Sequence, residues 1–449
     1  MPLRPRFLTG ILISAAVCGA CHNPGSTAAP AAPVAASIPP GVLALSADEA
    51  RVRDYVRAHH DDDIMLLERA VNLSSGTLNP AGVRQVGALF GAELAAMGFD
   101  VHMSEMPTAM HRGGHLIAEH AGTHGPRLLL IGHLDTVFEG EGQRFIRTDS
   151  IARGAGTSDM KGGDVALIAA LRALHATGDL KDARVAVIMT GDEEAAGAPL
   201  EAARKDLVAL AQRSDIALAF EGGSARRASI ARRGSSSWTL TTTARQAHSA
   251  GVFSGGGFGA IYEVARILDT FRRDMSGDPT LTFNPGNIAG GTDLDRDSMG
   301  TTRVAGKTNI IAPKAVVNGD LRFLRESQKD SARARMRAIV GQSLSGSTSA
   351  ITFRDSYPAM PPTAAGAALL AQFDAVSRSL GYGPVEGDPP ESRGAGDISF
   401  VAPYLTGMDG LGVSGRGAHS PEESVNLNSL TMSAERAAVF MRRLITGAR

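Results

Sequence analysis

Three short apolar runs, at 128–131, 185–189 and 216–220, each stop at residues able to hold a metal or move a proton. The first runs into Gly132-His133-Leu134-Asp135-Thr136, the second into Asp192-Glu193-Glu194, the third into Glu221-Gly222-Gly223. An apolar run with no polar face must, as a strand, be covered on both sides, which is the setting of a parallel sheet between helices. A helical stretch at 165–174, between the first two runs, supplies the crossover that parallel strands require. In open sheets of this kind the functional crevice lies at the carboxyl ends of the strands, where the imidazole and the carboxylates fall.

After Gly234 the pattern changes. Trp238, Leu240 and Thr242 alternate with polar residues, and Val317, Leu321 and Phe323 share one face of a strand with Asn318, Asp320 and Arg322 on the other. Such alternation belongs to half-exposed antiparallel strands. The fold class expected is therefore α/β: a mostly parallel sheet with covering helices (45–234 and 357–449), interrupted by an inserted α+β lid or dimerisation domain (235–356). Before the first run, Val83, Val86, Phe90, Leu94 and Met97 recur at helical spacing within a helical region at 46–97, and the chain finishes on a helix at 430–445.

At the N-terminus, Arg4 and Arg6 precede an apolar stretch at 7–17 and then small residues, the pattern of a secretory signal at 1–21. The expected location is outside the cytoplasm: periplasmic, membrane-anchored or secreted. Both cysteines of the 449 residues, Cys18 and Cys21, lie there, so the remainder holds no disulfide. Gly19-Ala20-Cys21 resembles a lipoprotein acylation site with Cys18 where Leu is usual; a lipid anchor at Cys21 and ordinary cleavage nearby both remain open. Residues 22–44, rich in Ala, Pro and Ser, read as a tether. A formal charge of -1 without a basic block excludes a nucleic-acid surface.

The chemistry converges on one rim. Asp159, in the stretch 154–163 before the helix, joins His133, Asp135, Glu193, Glu194 and Glu221. Carboxylates crowded together raise one another's pKa and cost stability unless cations neutralise them. Mixed imidazole and carboxylate donors suit zinc.

At these residues the sequence resembles the M20 metallopeptidases, in their glutamate carboxypeptidase-like branch. The carriers are GHLDTV at 132–137, GTSDMKGG at 156–163, GDEE at 191–194, FEGG at 220–223, RQAHSAG at 245–251, KTNIIAPKA at 307–315 and GAHSPEESV at 417–425. The resemblance implies two zinc ions bridged by Asp159 and a hydroxide, one also held by His133 and Glu221, the other by Glu194 and His419. It implies Glu193 as general base and Asp135 as the partner orienting the His133 ring. For substrate binding it implies His248, a lid histidine that in many members acts across a homodimer formed by the inserted domain, with Asn309, Arg322, Gly394 and Gly396 near the substrate carboxylate. The implied activity is hydrolysis of the C-terminal amide of small peptides or N-acyl amino acids. The alternatives are an N-acyl amino acid deacylase of the same family and an inactive metal-bearing binding protein.

Two departures stand out. Ala195-Ala196-Gly197-Ala198-Pro199 follows Glu194 where the family usually has one residue and then Gly-Ser, and Tyr357 precedes Pro358 where a basic residue is common. The second bears on any preference for an acidic C-terminal residue. The cluster His59-His60-Asp61-Asp62-Asp63 reads as a solvated helix face, and His111, His115, His120 and His124 read as surface histidines.

Overall fold

The three apolar runs lie side by side as parallel strands, with His124–His133 between Ala183–Thr190 and Ile216–Ala219. Thr406–Met408 extends the parallel set beyond Ile216–Ala219, while His115–His120 and Asp100–Ser104 close the other edge in antiparallel fashion. This computed structural model describes residues 44–140, 143–297 and 301–447. The expected signal at 1–21 lies outside the described residues, as does all of the expected tether except Ala44.

Alternate residues of the runs feed two cores. Leu128, Leu130, Val185, Val187, Met189 and Leu218 turn to one face, against the helices Lys161–Thr177 and Leu427–Thr446. Leu129, Ile131, Ala186, Ile188, Ala217 and Ala219 turn to the other, against Leu207, Leu210, Ile398 and Val401. Each buried Leu or Ile contributes about 2 kcal/mol, and a one-residue slip would exchange the two sets. The register is therefore fixed, and with it the point at which each strand delivers its polar end.

The N-terminal helical region is three helices, Ala47–Ala58, His60–Val71 and Pro80–Ala96. Ser46 and Glu49 form a reciprocal capping box on the first, and Asn79 caps the third with Pro80 at its first position.

Gly234–Ala244, Thr282–Gly291, Lys314–Phe323 and Ser347–Asp355 make a separate antiparallel sheet. Helices Gly259–Met275 and Glu326–Val340 cover one face, over a core that includes Trp238, Leu240, Val317, Leu321 and Phe323. The chain enters and leaves this sheet through two segments paired with each other. Arg232 and Met360 exchange backbone hydrogen bonds of 2.9 Å each, and Ser235 N–H donates to the Tyr357 carbonyl at 2.8 Å.

Two local expectations are corrected. His115 is buried, not superficial: its ring bonds the Ala203 carbonyl at 2.9 Å and accepts the Gly191 N–H at 3.2 Å, tying the strand exit before Asp192 to the segment that carries Arg204. In the other cluster Asp61 and Asp62 are exposed, but Asp63 turns inward and pairs with Arg172 at 3.0 Å.

Burial pushes the Asp63 carboxyl up to about 7, with Arg172 offsetting part of the rise. Its folded value thus lies above the unfolded value of about 4. Between these the native chain keeps a proton that the unfolded chain has lost, so stability falls as pH rises through that window. Urea unfolding at pH 4 and pH 7 is expected to show the loss in the parent chain, with a share of at most about 4 kcal/mol from Asp63, and a smaller loss in Asp63→Asn. Parallel pH profiles for the two proteins would contradict the assignment.

Candidate metal centre

His133 is the last residue of the central strand and is 1% exposed. Its Nδ1 lies 3.0 Å from the Asp135 backbone carbonyl. A carbonyl only accepts, so Nδ1 carries a proton and Nε2 faces the crevice, where a cation would take the place of its proton. Asp135 thus orients the ring through its main chain, with its carboxylate oxygen 3.5 Å from the same nitrogen. That carboxylate is mainly engaged elsewhere: it accepts the Thr77 hydroxyl at 2.6 Å and the backbone N–H groups of Glu193 and Glu194 at 3.0 and 3.1 Å. Asp135 therefore sets the placement of both glutamates as well as the imidazole.

Asp159 stands two residues before the helix Lys161–Thr177, on a loop held by Glu423. The buried Glu423 carboxylate accepts N–H bonds from Gly156, Ser158 and Asp159 at 3.0, 2.8 and 3.0 Å, and the Ser158 hydroxyl at 3.1 Å. Because Glu423 follows His419 by four residues, it fastens the loop of one site residue to the loop of another. Sequence reasoning gave it no role, although GAHSPEESV contains it.

The two oxygens of Asp159 face different neighbours. Oδ1 is 3.3 Å from His133 Nε2, which is 3.6 Å from Glu221; Oδ2 is 3.0 Å from His419 Nε2, which is 3.2 Å from Glu194. Two groups result, His133, Asp159 and Glu221, and Asp159, Glu194 and His419, each with ligand atoms within 4.8 Å of one another. Their chemistry fits two divalent cations sharing Asp159, each with three protein donors and room for a further ligand. The fit also rests on Glu194 Oε1, which is buried and has no hydrogen-bond partner.

Electrostatics points the same way. Burial pushes Glu194 up to about 8 and Glu221 up to about 7, and in each case the Asp159 charge adds to the rise. Glu193 is pushed well above the usual carboxylate range by burial and then by Glu221. His419 rises to about 9 through its bond to Asp159. Without cations this rim holds protons that cations would displace.

The three consecutive carboxylates after the second strand diverge. Asp192 turns inward to Arg204 at 2.6 Å and accepts the Gly197 N–H at 2.7 Å; Glu194 turns to His419; Glu193 lines the cavity.

That cavity, about 420 Å³, is lined by Asp159, Glu193, Glu194, Glu221 and His419 together with Gly394. Arg232, to which sequence reasoning gave no role, also lines it. Its Nε pairs with Asp409 at 2.5 Å and its Nη1 bonds the carbonyls of Gly394 and Ala395 at 3.1 Å each. Gly396 lies behind the wall, where an added Cβ would sit 3.1 Å from the Arg232 guanidinium carbon, so glycine there permits close approach.

His248, Asn309 and Arg322 are not among the lining residues. His248 and Asn309 are exposed neighbours at one end of the antiparallel sheet, linked by the Ser249 N–H to the Asn309 carbonyl at 3.0 Å. Arg322 pairs with Asp320 at 2.8 Å.

Residues 129–443 match the family described as peptidase family M20/M25/M40. The chain is 27% identical over 403 residues to carboxypeptidase G2 of Pseudomonas sp. (strain RS-16), spanning 86% of this chain and 89% of that one. It is 29% identical over 301 residues to succinyl-diaminopimelate desuccinylase of Leptothrix cholodnii, spanning 63% and 74%. Its fold is similar to that of aminopeptidase PepT from Bacillus cereus, with a TM-score of 0.71 at 18% identity over 86% of this chain and 98% of that one. The chain belongs to peptidase family M20/M25/M40, as a metal-dependent hydrolase.

Proposed function

We propose that this protein is an exported exopeptidase that carries two zinc ions and hydrolyses the C-terminal amide bond of small peptides or N-acyl amino acids. The observation that carries the reading is Asp159, whose two oxygens serve two ligand groups while Glu193 lines the same cavity. Bound zinc would supply Lewis acidity toward the amide carbonyl and toward water. The chain's own residues do the rest. Glu193, whose proton affinity is raised by burial, takes a proton from the attacking water and returns it to the leaving amine. Asp135 holds the backbone N–H groups of Glu193 and Glu194, so base and ligand keep a fixed relation.

The likeness to a succinyl-diaminopimelate desuccinylase supports a second reading, an N-acyl amino acid deacylase. An inactive binding protein is disfavoured because it has no need of Glu193 on the cavity wall. A panel of dipeptides, folyl-glutamate and N-acetyl amino acids, assayed with added zinc, tests the three. Release of a peptide's last residue is expected; release of acetate alone would favour the deacylase, and metal binding without any cleavage the binding protein.

In this reading residues 235–356 act as the lid and bring His248 and Asn309 to the substrate on closing or from a second copy. Exposed Phe253, Ile261, Tyr262 and Ile288 on that unit support pairing of two chains. Sedimentation of the purified protein as a monomer at micromolar concentration would remove the pairing. The signal and Cys21 support export with a lipid anchor; membrane association is expected to disappear in Cys21→Ser, and its persistence would refute the anchor.

Glu193→Gln is expected to lower kcat by at least about a thousandfold while metal content, read by elemental analysis, stays near that of the parent. Asp159→Ala is expected to lose metal as well as turnover. Equal metal loss in both variants would reverse the roles given to Glu193 and Glu194.

A further inference from the structure

The peptide groups on both sides of Glu193 are held by side chains from distant segments. Its N–H goes to Asp135, and the carbonyl of Asp192 before it accepts Arg204 Nη2 at 3.2 Å. Its own carbonyl accepts the Tyr357 hydroxyl at 2.7 Å. Arg204 Nη2 also reaches the Tyr357 oxygen at 2.9 Å. A guanidinium has donors only, so the tyrosine oxygen must accept from Arg204, and its single proton is committed to the Glu193 carbonyl.

Arg204 is itself fixed. It is 1% exposed and lies between the carboxylates of Asp192 at 2.6 Å and Asp397 at 2.7 Å. Asp397 in turn accepts the hydroxyl of Thr190, the last residue of the strand that leads to Glu193. The Tyr357 ring packs against Phe400 with centroids 5.0 Å apart, and the Arg204 guanidinium carbon lies 5.7 Å from the Tyr357 ring and 5.5 Å from that of Phe400. The hydroxyl therefore has one orientation available.

The place of Tyr357 in the chain gives this contact its meaning. The residue lies in the segment leaving the antiparallel sheet, and its backbone pairs with Ser235 in the segment entering it: the Tyr357 carbonyl accepts the Ser235 N–H at 2.8 Å, and the Tyr357 N–H donates to the Ser235 hydroxyl at 3.3 Å. One residue thus joins the crossing between the two sheets to the main chain of Glu193.

We infer that Tyr357, oriented by Arg204, is a positioning residue for Glu193, tying the placement of that carboxylate to the crossing between the parallel sheet and the antiparallel one. The inference rests on the reading of Glu193 as the general base. The two departures from the family pattern meet here: Tyr357 stands where a basic residue is common, and the cation it contacts, Arg204, follows the altered segment after Glu194. Displacement of a reacting group by about 1 Å can cost up to about a hundredfold in rate, so the lost hydroxyl should register in turnover more than in binding.

Tyr357→Phe keeps the ring and removes the hydroxyl. With the best substrate of the panel, kcat is expected to fall about tenfold, with KM within twofold, metal content unchanged and the variant fully folded at the assay temperature. In a Glu193→Asp background the same change is expected to cost less than about threefold, because residues acting through one another are not additive. A full tenfold loss in both backgrounds would overturn the inference, as would loss of metal or kcat within twofold of the parent. A crystal structure of Tyr357→Phe with the 193–194 peptide unmoved would overturn it independently of any assay. If Glu193→Gln proves active, the reading of the base fails and this inference with it; if Glu193→Gln is inert while Tyr357→Phe is unimpaired, only this inference fails.

Discussion

The Asp159 carboxylate is the constraint on which the rest of the site depends. One oxygen meets a buried histidine from the central strand and the other an exposed histidine from a late loop, so each oxygen has its own partner. Burial works to raise its pKa, yet the bonds from His133 and His419 hold it far below the usual range. Its neighbours Glu194 and Glu221 are driven in the opposite direction by the same crowding. One rim therefore carries acids pushed apart in proton affinity, and divalent cations resolve such a conflict without further side chains. Glu423 and Asp135 make the arrangement rigid, each spending a buried carboxylate on backbone N–H groups.

The two-sided core explains why these acids arrive together. Alternate residues of each strand belong to different hydrophobic layers, so a one-residue slip would exchange the two sets and mispack both layers. Strand ends are then fixed relative to one another, and His133, Glu193, Glu194 and Glu221 follow from where the apolar runs stop. The antiparallel sheet has its own core and is attached through two paired segments.

Much of this was legible in the sequence because it is periodic. The continuous runs at 128–131, 185–189 and 216–220 announced buried parallel strands, and the alternation of Val317, Leu321 and Phe323 with Asn318, Asp320 and Arg322 announced the half-exposed sheet. The donors were legible through their motifs. The supporting residues were not. Arg204, Asp397 and Tyr357 come from separate segments and form one buried network, and no local pattern marks a charge that will find its partners only in the folded chain. Asp63 and His115 were misjudged for the same reason, since polar residues in a polar stretch read as solvated until Arg172 and the Ala203 carbonyl appear beside them. The resemblance reached further than periodicity for His419, and the cavity as it stands leaves His248, Asn309 and Arg322 outside its walls.

The order in which the site residues occur along the polypeptide bears on synthesis. His133, Asp159, Glu194 and Glu221 all leave the ribosome before the antiparallel sheet is made, whereas His419 emerges just ahead of the final helix, Leu427–Thr446. A nascent chain thus carries every donor of one trio while the other still lacks its imidazole.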